Sequence, residues 1–126
     1  MAGFLRHLWR WQRGRQASGY DKLLLGGLPW PVPCDCYLLR FPQGAHVPPH
    51  VDRVPNGRHY RLNIILRPAK KGGEFLCERP IYTSDRVKFF RPDVETHSVT
   101  KIEEGSRWVL SMGWVRGARS GTRPAA

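Results

Sequence analysis

Residues 34–67, CDCYLLRFPQGAHVPPHVDRVPNGRHYRLNIILR, decide the fold of this chain. Two turn signals, Pro42-Gln43-Gly44 and Pro55-Asn56-Gly57, divide the stretch into segments rich in aromatic and branched apolar residues. Short segments of this composition between Gly- and Pro-containing turns are typical of β-strands. We therefore predict strands over Cys34–Phe41, Ala45–Val51 and His59–Arg67.

The same pattern continues to the end of the apolar part of the chain. Five further segments are predicted to be strands: Glu74–Cys77, Ile81–Thr83, Val87–Phe90, Thr96–Ile102 and Ser106–Val115. About eight short strands with turns between them indicate an all-β protein rather than a helical one. We predict a double-stranded β-helix (jelly roll), an architecture that cupins also use.

The N-terminal region differs in composition from the strands. Apolar residues near helical spacing, among them Phe4, Leu5 and Leu8, predict a short basic helix within residues 3–16. That helix either packs on the domain or binds an anionic surface. Proline recurs at Pro29, Pro31 and Pro33, which favours an extended linker. The predicted organisation is a helix and linker over 1–33, a domain over 34–116 and a basic tail over 117–126.

Length and charge limit the classes of protein to consider. A chain of 126 residues suffices for one domain with a modest core. It has neither an apolar run of the roughly 20 residues that a membrane-spanning helix needs nor the features of a signal peptide. Its three cysteines are expected to be reduced thiols, so we predict a cytoplasmic location.

The formal net charge of +11 is concentrated near the two ends. Arginines without neighbouring acids occupy both, at Arg6, Arg10, Arg13 and Arg15 and again at Arg116, Arg119 and Arg123. Either these ends are simply solvated, or they attract an anionic partner such as nucleic acid.

A candidate metal site is formed by His50, Asp52 and His97. On an extended segment His50 and Asp52 point to the same side, since side chains alternate along a strand. His97 lies on a later predicted strand and is available as a third ligand. Two histidines and one carboxylate are the ligand set of mononuclear non-heme iron(II) oxygenases, which leave metal positions open for oxygen and a co-substrate.

Arg107 is a candidate residue for binding the co-substrate. It opens a largely apolar final strand, where an unpaired guanidinium is costly to bury. A guanidinium can hold a carboxylate with two hydrogen bonds, so Arg107 could bind the distal carboxylate of a keto acid. Alternation places Ser111 on the same face, where its hydroxyl could contact the same carboxylate.

From Tyr37 to Val115 the chain resembles the 2-oxoglutarate and iron(II)-dependent dioxygenases, especially their prolyl/lysyl hydroxylase-like branch. The matching segments, in family order, are His50-Val51-Asp52, Asn56-Gly57, Arg61–Leu66, Gly72–Phe75, Val87–Phe90, His97-Ser98-Val99 and Gly105–Trp108. The resemblance implies iron(II) bound by His50, Asp52 and His97, and 2-oxoglutarate held by Arg107. It also implies consumption of O2, release of succinate and carbon dioxide, and ascorbate as an accessory reductant.

The chain departs from this family at two positions. Members of the branch often place an aromatic hydroxyl near 2-oxoglutarate from the third strand, where this chain has Ile65; Tyr37 or Asn63 is expected to replace it. The nucleic-acid demethylase branch carries a second arginine six residues after the first, where this chain has Gly113.

Three functions are compatible with the residues. The first is a 2-oxoglutarate-dependent hydroxylase acting on a small-molecule or peptidyl substrate. The others are a cupin-like metal-binding protein and a basic nucleic-acid-binding module with a vestigial site. Basic residues in the loop 53–58 and the turn 69–73, both expected near the site mouth, suggest an anionic substrate. The oligomeric state is not encoded in any pattern that we recognise.

Overall fold

The computed structural model describes residues 9–13, 19–28 and 33–117. The strands in these ranges are β1 (Trp11–Arg13), β2 (Asp21–Leu28), β3 (Cys34–Phe41), β4 (Val47–His50), β5 (Arg58–Arg67), β6 (Lys71–Gly72), β7 (Phe75–Cys77), β8 (Tyr82–Thr83), β9 (Val87–Phe90), β10 (His97–Val99), β11 (Ile102–Glu104) and β12 (Arg107–Arg116). The all-β prediction is confirmed, and all eight predicted strands have a counterpart within a few residues. The predicted strand Thr96–Ile102 covers β10 and the first residue of β11, two strands that the sequence did not separate.

The described residues form three antiparallel sheets. The large sheet has the order β1-β2-β3-β12-β5-β9-β8, the second has the order β4-β10-β7, and β11 pairs with β6. The last long strand, β12, therefore lies between β3 and β5, and its register is continuous with β3 from Arg107↔Phe41 to Trp114↔Cys34. This order is that of a double-stranded β-helix, in which strands distant in sequence become neighbours.

The core lies between the large sheet and the shorter sheets. Val109 of β12 and Ile102 of β11 have no exposed surface, and they pack with Phe41, Ile65 and Val99. Along β12 the buried residues alternate with partly exposed ones, as predicted for Arg107, Val109 and Ser111. Because of this alternation, the polar residues Arg107 and Ser111 lie in the interior together with Val109.

The predicted N-terminal helix is wrong where the structure describes it. Trp11–Arg13 is strand β1, paired with β2, while residues 3–8 and 14–16 of the predicted helix lie outside the described residues. The Trp11 ring meets Trp108 edge-on at 6.1 Å, and the Arg40 guanidinium lies 4.2 Å above it. Pairing with the sheet satisfies the backbone and brings Trp11 against Trp108 and Arg40, which outweighs a weak helical periodicity.

Residues before position 34 add two strands to the large sheet. Asp21–Leu28 pairs with β3 along nearly its whole length, with an irregularity between Leu24 and Gly26. Leu24 is only 2% exposed and so belongs to the interior. Most of the predicted Pro-rich linker, residues 29–32, and the tail beyond 117 lie outside the described residues. No helix in the described part of the chain has the length and apolarity needed to cross a bilayer.

Candidate metal centre

His50, Asp52 and His97 come together because β4 and β10 are neighbours. His97 is the register partner of His50, and the two imidazole rings lie 4.3 Å apart. Asp52 follows β4 by two residues and turns its carboxylate between them: its Oδ1 is 3.5 Å from His50 Nε2 and its Oδ2 is 3.4 Å from His97 Nε2. One donor atom from each residue lies within 4.8 Å of the other two, which makes the group a candidate metal site.

The other ring nitrogen of each histidine is held by the backbone. Nδ1 of His50 donates to the Pro48 carbonyl at 2.8 Å, and Nδ1 of His97 donates to the Glu95 carbonyl at 2.9 Å. Donation from Nδ1 leaves the lone pair on Nε2, the atom that faces Asp52 in both residues. Outer hydrogen bonds of this kind orient metal-binding histidines, so the donor set fits a divalent ion.

Aromatic side chains enclose the His97 side of the group. The Phe90 ring lies 5.0 Å from the His97 ring, and the Phe75 ring lies 6.3 Å from it. Phe90 is 1% exposed and His97 is 8% exposed, so this ligand is shielded from bulk water. Asp52 is anchored through its backbone, whose N–H donates to the Pro92 carbonyl at 2.7 Å. The positions of His97 and Asp52 are therefore set by ring packing and by a backbone hydrogen bond, as well as by contacts within the group of three residues.

Arg107 is buried in the interior at the start of β12. It is 2% exposed, and its Nη2 has no hydrogen-bond partner among the described residues. Its guanidinium lies 5.1 Å from the Phe41 ring, and burial lowers its pKa to about 10. A cation still charged at neutral pH with an unpartnered N–H is costly in an interior, and an anionic ligand there would relieve that cost.

A single cavity of about 230 Å³ contains every site residue predicted from the sequence. Its wall includes the metal-site residues, Arg107, and the three polar residues Tyr37, Asn63 and Ser111. These last three form one row across the large sheet, because Ser111 pairs with Tyr37 on one side and Asn63 on the other. Asn63 is 7% exposed, and its Oδ1 has no hydrogen-bond partner in the described part of the chain.

The structure adds polar residues that sequence reasoning did not assign to the site. Lys22, Asp35, His59 and Arg61 also line the cavity. Arg61 shares a face of β5 with Asn63, since side chains alternate along a strand, but its partner Asp35 lies two strands away across β12. Only the sheet order brings these two together, so no local pattern could have paired them.

The two basic loops expected at the site mouth do not form the cavity wall in the described part of the chain. Residues 69–73 instead border a second cleft, whose lining also includes Arg107 and Lys88. The positive charge around the candidate site therefore comes from the strand residues Lys22, Arg61 and Arg107 rather than from the loops.

No protein-family model matches the sequence, and no curated protein matches it in sequence. Solved structures do match its fold. A cupin-2 domain from Rhodospirillum rubrum aligns with a TM-score of 0.55 at 12% identity, over 87% of this chain and 70% of that chain. KdgF from a Halomonas species gives 0.54 at 18% identity, over 84% and 87% of the two chains.

A third structure, a cupin 2 conserved barrel domain protein from Rhodopseudomonas palustris, aligns with a TM-score of 0.51 at 17% identity, over 86% of this chain and 70% of that chain. At such low identity the similarity is one of fold. The chain has the jelly-roll fold of the cupin-type double-stranded β-helix, as its strand order also indicates.

Proposed function

We propose that this protein is an iron(II)- and 2-oxoglutarate-dependent dioxygenase that hydroxylates a C–H bond of a small-molecule or peptidyl substrate. The observation that carries the proposal is the buried, unpartnered Nη2 of Arg107 in the same cavity as His50, Asp52 and His97. A metal site alone is common to many jelly-roll proteins. A metal site that shares its cavity with an unsatisfied guanidinium is suited to a co-substrate with a carboxylate at its far end.

The three ligand residues suit iron(II) in their chemistry. Imidazole and carboxylate donors are of intermediate and hard character, and no cysteine belongs to the group. His50 and His97 would bind through Nε2, because their Nδ1 atoms donate to backbone carbonyls. When bound, iron(II) supplies the activation of O2, and the overall reaction converts 2-oxoglutarate, O2 and substrate into succinate, carbon dioxide and hydroxylated product.

The large sheet supplies the groups that orient the keto acid. Arg107 would receive the distal carboxylate, with the Ser111 hydroxyl on the same face of β12. Tyr37 and Asn63 flank Ser111, and the unpartnered Oδ1 of Asn63 can accept a hydrogen bond from a ligand or from a water molecule beside it. Phe41 and Val109 fill the space around Arg107 and would keep bulk water from the carboxylate.

A cupin-like metal-binding protein is the second candidate, favoured by the cupin-2 fold neighbours. In that case the triad would hold a metal and Arg107 would bind some other anion. The two candidates differ in whether 2-oxoglutarate binds, which can be measured without knowing the substrate. The cytoplasmic location, ascorbate as reductant and the domain division at residues 34 and 116 remain predictions.

The test is a measurement of 2-oxoglutarate binding and turnover by the full chain. Protein is loaded anaerobically with iron(II), 2-oxoglutarate affinity is determined by calorimetry, and succinate is quantified after oxygen is admitted. We expect binding that requires the metal. With ascorbate added as the two-electron reductant that takes the place of substrate, we also expect slow succinate formation before a substrate is found. Metal binding without 2-oxoglutarate affinity would establish the cupin-like alternative. Salt-sensitive nucleic-acid binding that persists in His50→Ala would instead favour the basic binding module.

A further inference from the structure

We infer that Arg61, Asp35 and Lys22 form a substrate subsite for a small carboxylate that also carries a hydrogen-bond donor, the chemistry shared by a free amino acid and a peptide C-terminus. The inference rests on the proposed function, because it assigns the metal and Arg107 to the co-substrate and this second group to the molecule that is hydroxylated. It names a binding site that lies in the same cavity but is built by different residues.

Arg61 is held in place by several side chains. Its Nη1 donates to Ser111 Oγ at 2.8 Å, and its Nη2 donates to Asp35 Oδ1 and Oδ2 at 2.8 and 3.0 Å. The Arg61 side chain is 16% exposed and that of Asp35 is 29% exposed. A guanidinium has five N–H groups, so these bonds do not use its full capacity, and a carboxylate can still be bound.

Gly113 leaves the space on β12 that this guanidinium occupies. Gly113 is the register partner of both Asp35 and Arg61. A Cβ built on Gly113 would overlap with Arg61 Nη2 and lie 2.5 Å from its Cζ. The absence of a side chain at this position lets Arg61 fold over the middle strand and meet Asp35. Arg61 is thus preorganised as a binding group rather than solvated.

The Arg61 guanidinium meets β12 at some distance from Arg107. It donates to Ser111 and lies over Gly113, which are four and six residues after Arg107. That is about 13 to 20 Å along an extended strand. A five-carbon diacid that reaches from Arg107 to the metal site would therefore leave the Arg61 end of the cavity to a second ligand, with Ser111 between the two.

The charge of the cavity wall indicates what the second half binds. The wall carries the cations Lys22, Arg61 and Arg107 and the anions Asp35 and Asp52, a formal charge of +1 with neutral histidines. A divalent iron and doubly charged 2-oxoglutarate cancel, so the wall keeps its formal charge of +1. A ligand carboxylate would therefore bind beside Arg61, with Asp35 accepting a hydrogen bond from the ligand N–H or ammonium.

His59 adds a further polar atom to this end of the cavity. Its Nε2 lies 3.4 Å from Arg61 Nη2, an arrangement in which Arg61 donates and His59 carries its proton on Nδ1. That Nδ1 is buried and has no hydrogen-bond partner among the described residues. The Nδ1–H of His59 is thus a buried donor beside Arg61 whose hydrogen bond a polar ligand could accept.

The test measures carboxylate binding without turnover. The full chain is loaded anaerobically with Mn²⁺ and 2-oxoglutarate, and binding is followed by calorimetry. One arm of the panel contains free amino acids and their methyl esters; the other contains short peptides with free or amidated C-termini. We expect at least one free carboxylate to bind and its neutral derivative to bind about 10- to 100-fold more weakly. The arm that binds identifies the source.

Variants connect this binding to Arg61. Arg61→Gln removes the charge, and Gly113→Ala keeps the charge but displaces the guanidinium, so the second variant serves if the first does not fold. Both should weaken carboxylate binding about 10-fold or more, while Arg58→Gln, an exposed neighbour on β5, should not. A panel without any binder, or binding unchanged in both variants, overturns the inference. Failure of the wild-type protein to bind the metal or 2-oxoglutarate would instead refute the proposed function. The panel of carboxylates would then be repeated without the metal and 2-oxoglutarate.

Discussion

His97 is the ligand whose loss should affect the candidate metal site most clearly. It is 8% exposed, and its ring is fixed by the Glu95 carbonyl and by Phe90. We expect His97→Ala to lose bound iron(II) and activity together, because two remaining ligands hold the metal weakly. Metal content after gel filtration would be measured for this variant and for His46→Ala, an exposed histidine just before β4. Unchanged iron content in His97→Ala would refute the ligand assignment.

Arg107 allows a separate test of the co-substrate assignment. Arg107→Ala should bind iron normally but bind 2-oxoglutarate about 10- to 100-fold more weakly, since charge-assisted hydrogen bonds to the carboxylate are lost. Arg107→Lys should recover only part of the affinity, because an ammonium cannot reproduce the two-pronged contact. Arg116→Ala, at the exposed end of the same strand, is the control. Equal 2-oxoglutarate affinity in Arg107→Ala and wild type would contradict the assigned role.

His59 predicts a dependence of stability on pH. Burial, and next the Arg61 charge, lower its pKa below the usual 6.5, so the unfolded chain takes up a proton on this residue more readily than the folded chain does. Its contribution to stability is therefore present above about pH 6.5 and declines as the pH falls below that value.

Denaturant titrations of wild type and His59→Gln between pH 7.5 and pH 5 measure this contribution. The difference in unfolding free energy should move in favour of the variant as the pH falls, because glutamine cannot be protonated. A difference that stays constant over this range would show that His59 titrates alike in the folded and unfolded chain.

Among the secondary-structure elements, a strand was predicted well from the sequence where its own residues show the strand pattern. Cys34–Phe41 and Val87–Phe90 were predicted with the bounds that the structure has. β2 was missed, because Gly26-Gly27 interrupts its apolar run and nothing nearby in sequence reveals a partner. Its partner β3 supplies both the hydrogen bonds and the packing, and Leu24 is buried only as a result of that pairing.

Strand β2 is therefore expected to be essential to the fold. Leu24→Ala should lower the free energy of unfolding by about 2–5 kcal/mol, the usual cost of truncating a buried leucine. Leu28→Ala on the same strand is the matched control, because Leu28 is 55% exposed and such changes cost about 0.5 kcal/mol or less. Chemical denaturation of both variants measures the difference. Equal stabilities would show that β2 does not contribute to the core.

The seven residues that the sequence predicted for the site all line one cavity, yet their grouping depends on the order of the strands. His50-Val51-Asp52 is a local signal, whereas the pairing of His97 with His50 requires β10 to lie beside β4. Asp35 and Arg61 meet only because the final strand inserts between β3 and β5. Alternation along a strand indicates which residues point inward, but the neighbours that they find there are decided by topology.

The candidate metal ligands and the residues proposed to bind 2-oxoglutarate belong to different sheets. The candidate metal ligands come from β4, the segment after it, and β10, while Arg107, Ser111 and Asn63 come from the large sheet. A keto acid that binds the metal at one end and Arg107 at the other would connect the sheets across the cavity. Ligand binding to the folded state alone raises stability, by about 2.7 kcal/mol at a ligand concentration 100-fold above Kd.

Thermal unfolding should therefore report the connection between the sheets. We expect Mn²⁺ to raise the melting temperature of the wild-type protein, and 2-oxoglutarate to raise it further only when the metal is present. In Arg107→Ala the metal effect should remain and the additional effect of 2-oxoglutarate should be lost, whereas His97→Ala should lose both. Equal stabilisation by 2-oxoglutarate with and without metal would mean that the keto acid binds at Arg107 alone, and the bridge between the two sheets would then be excluded.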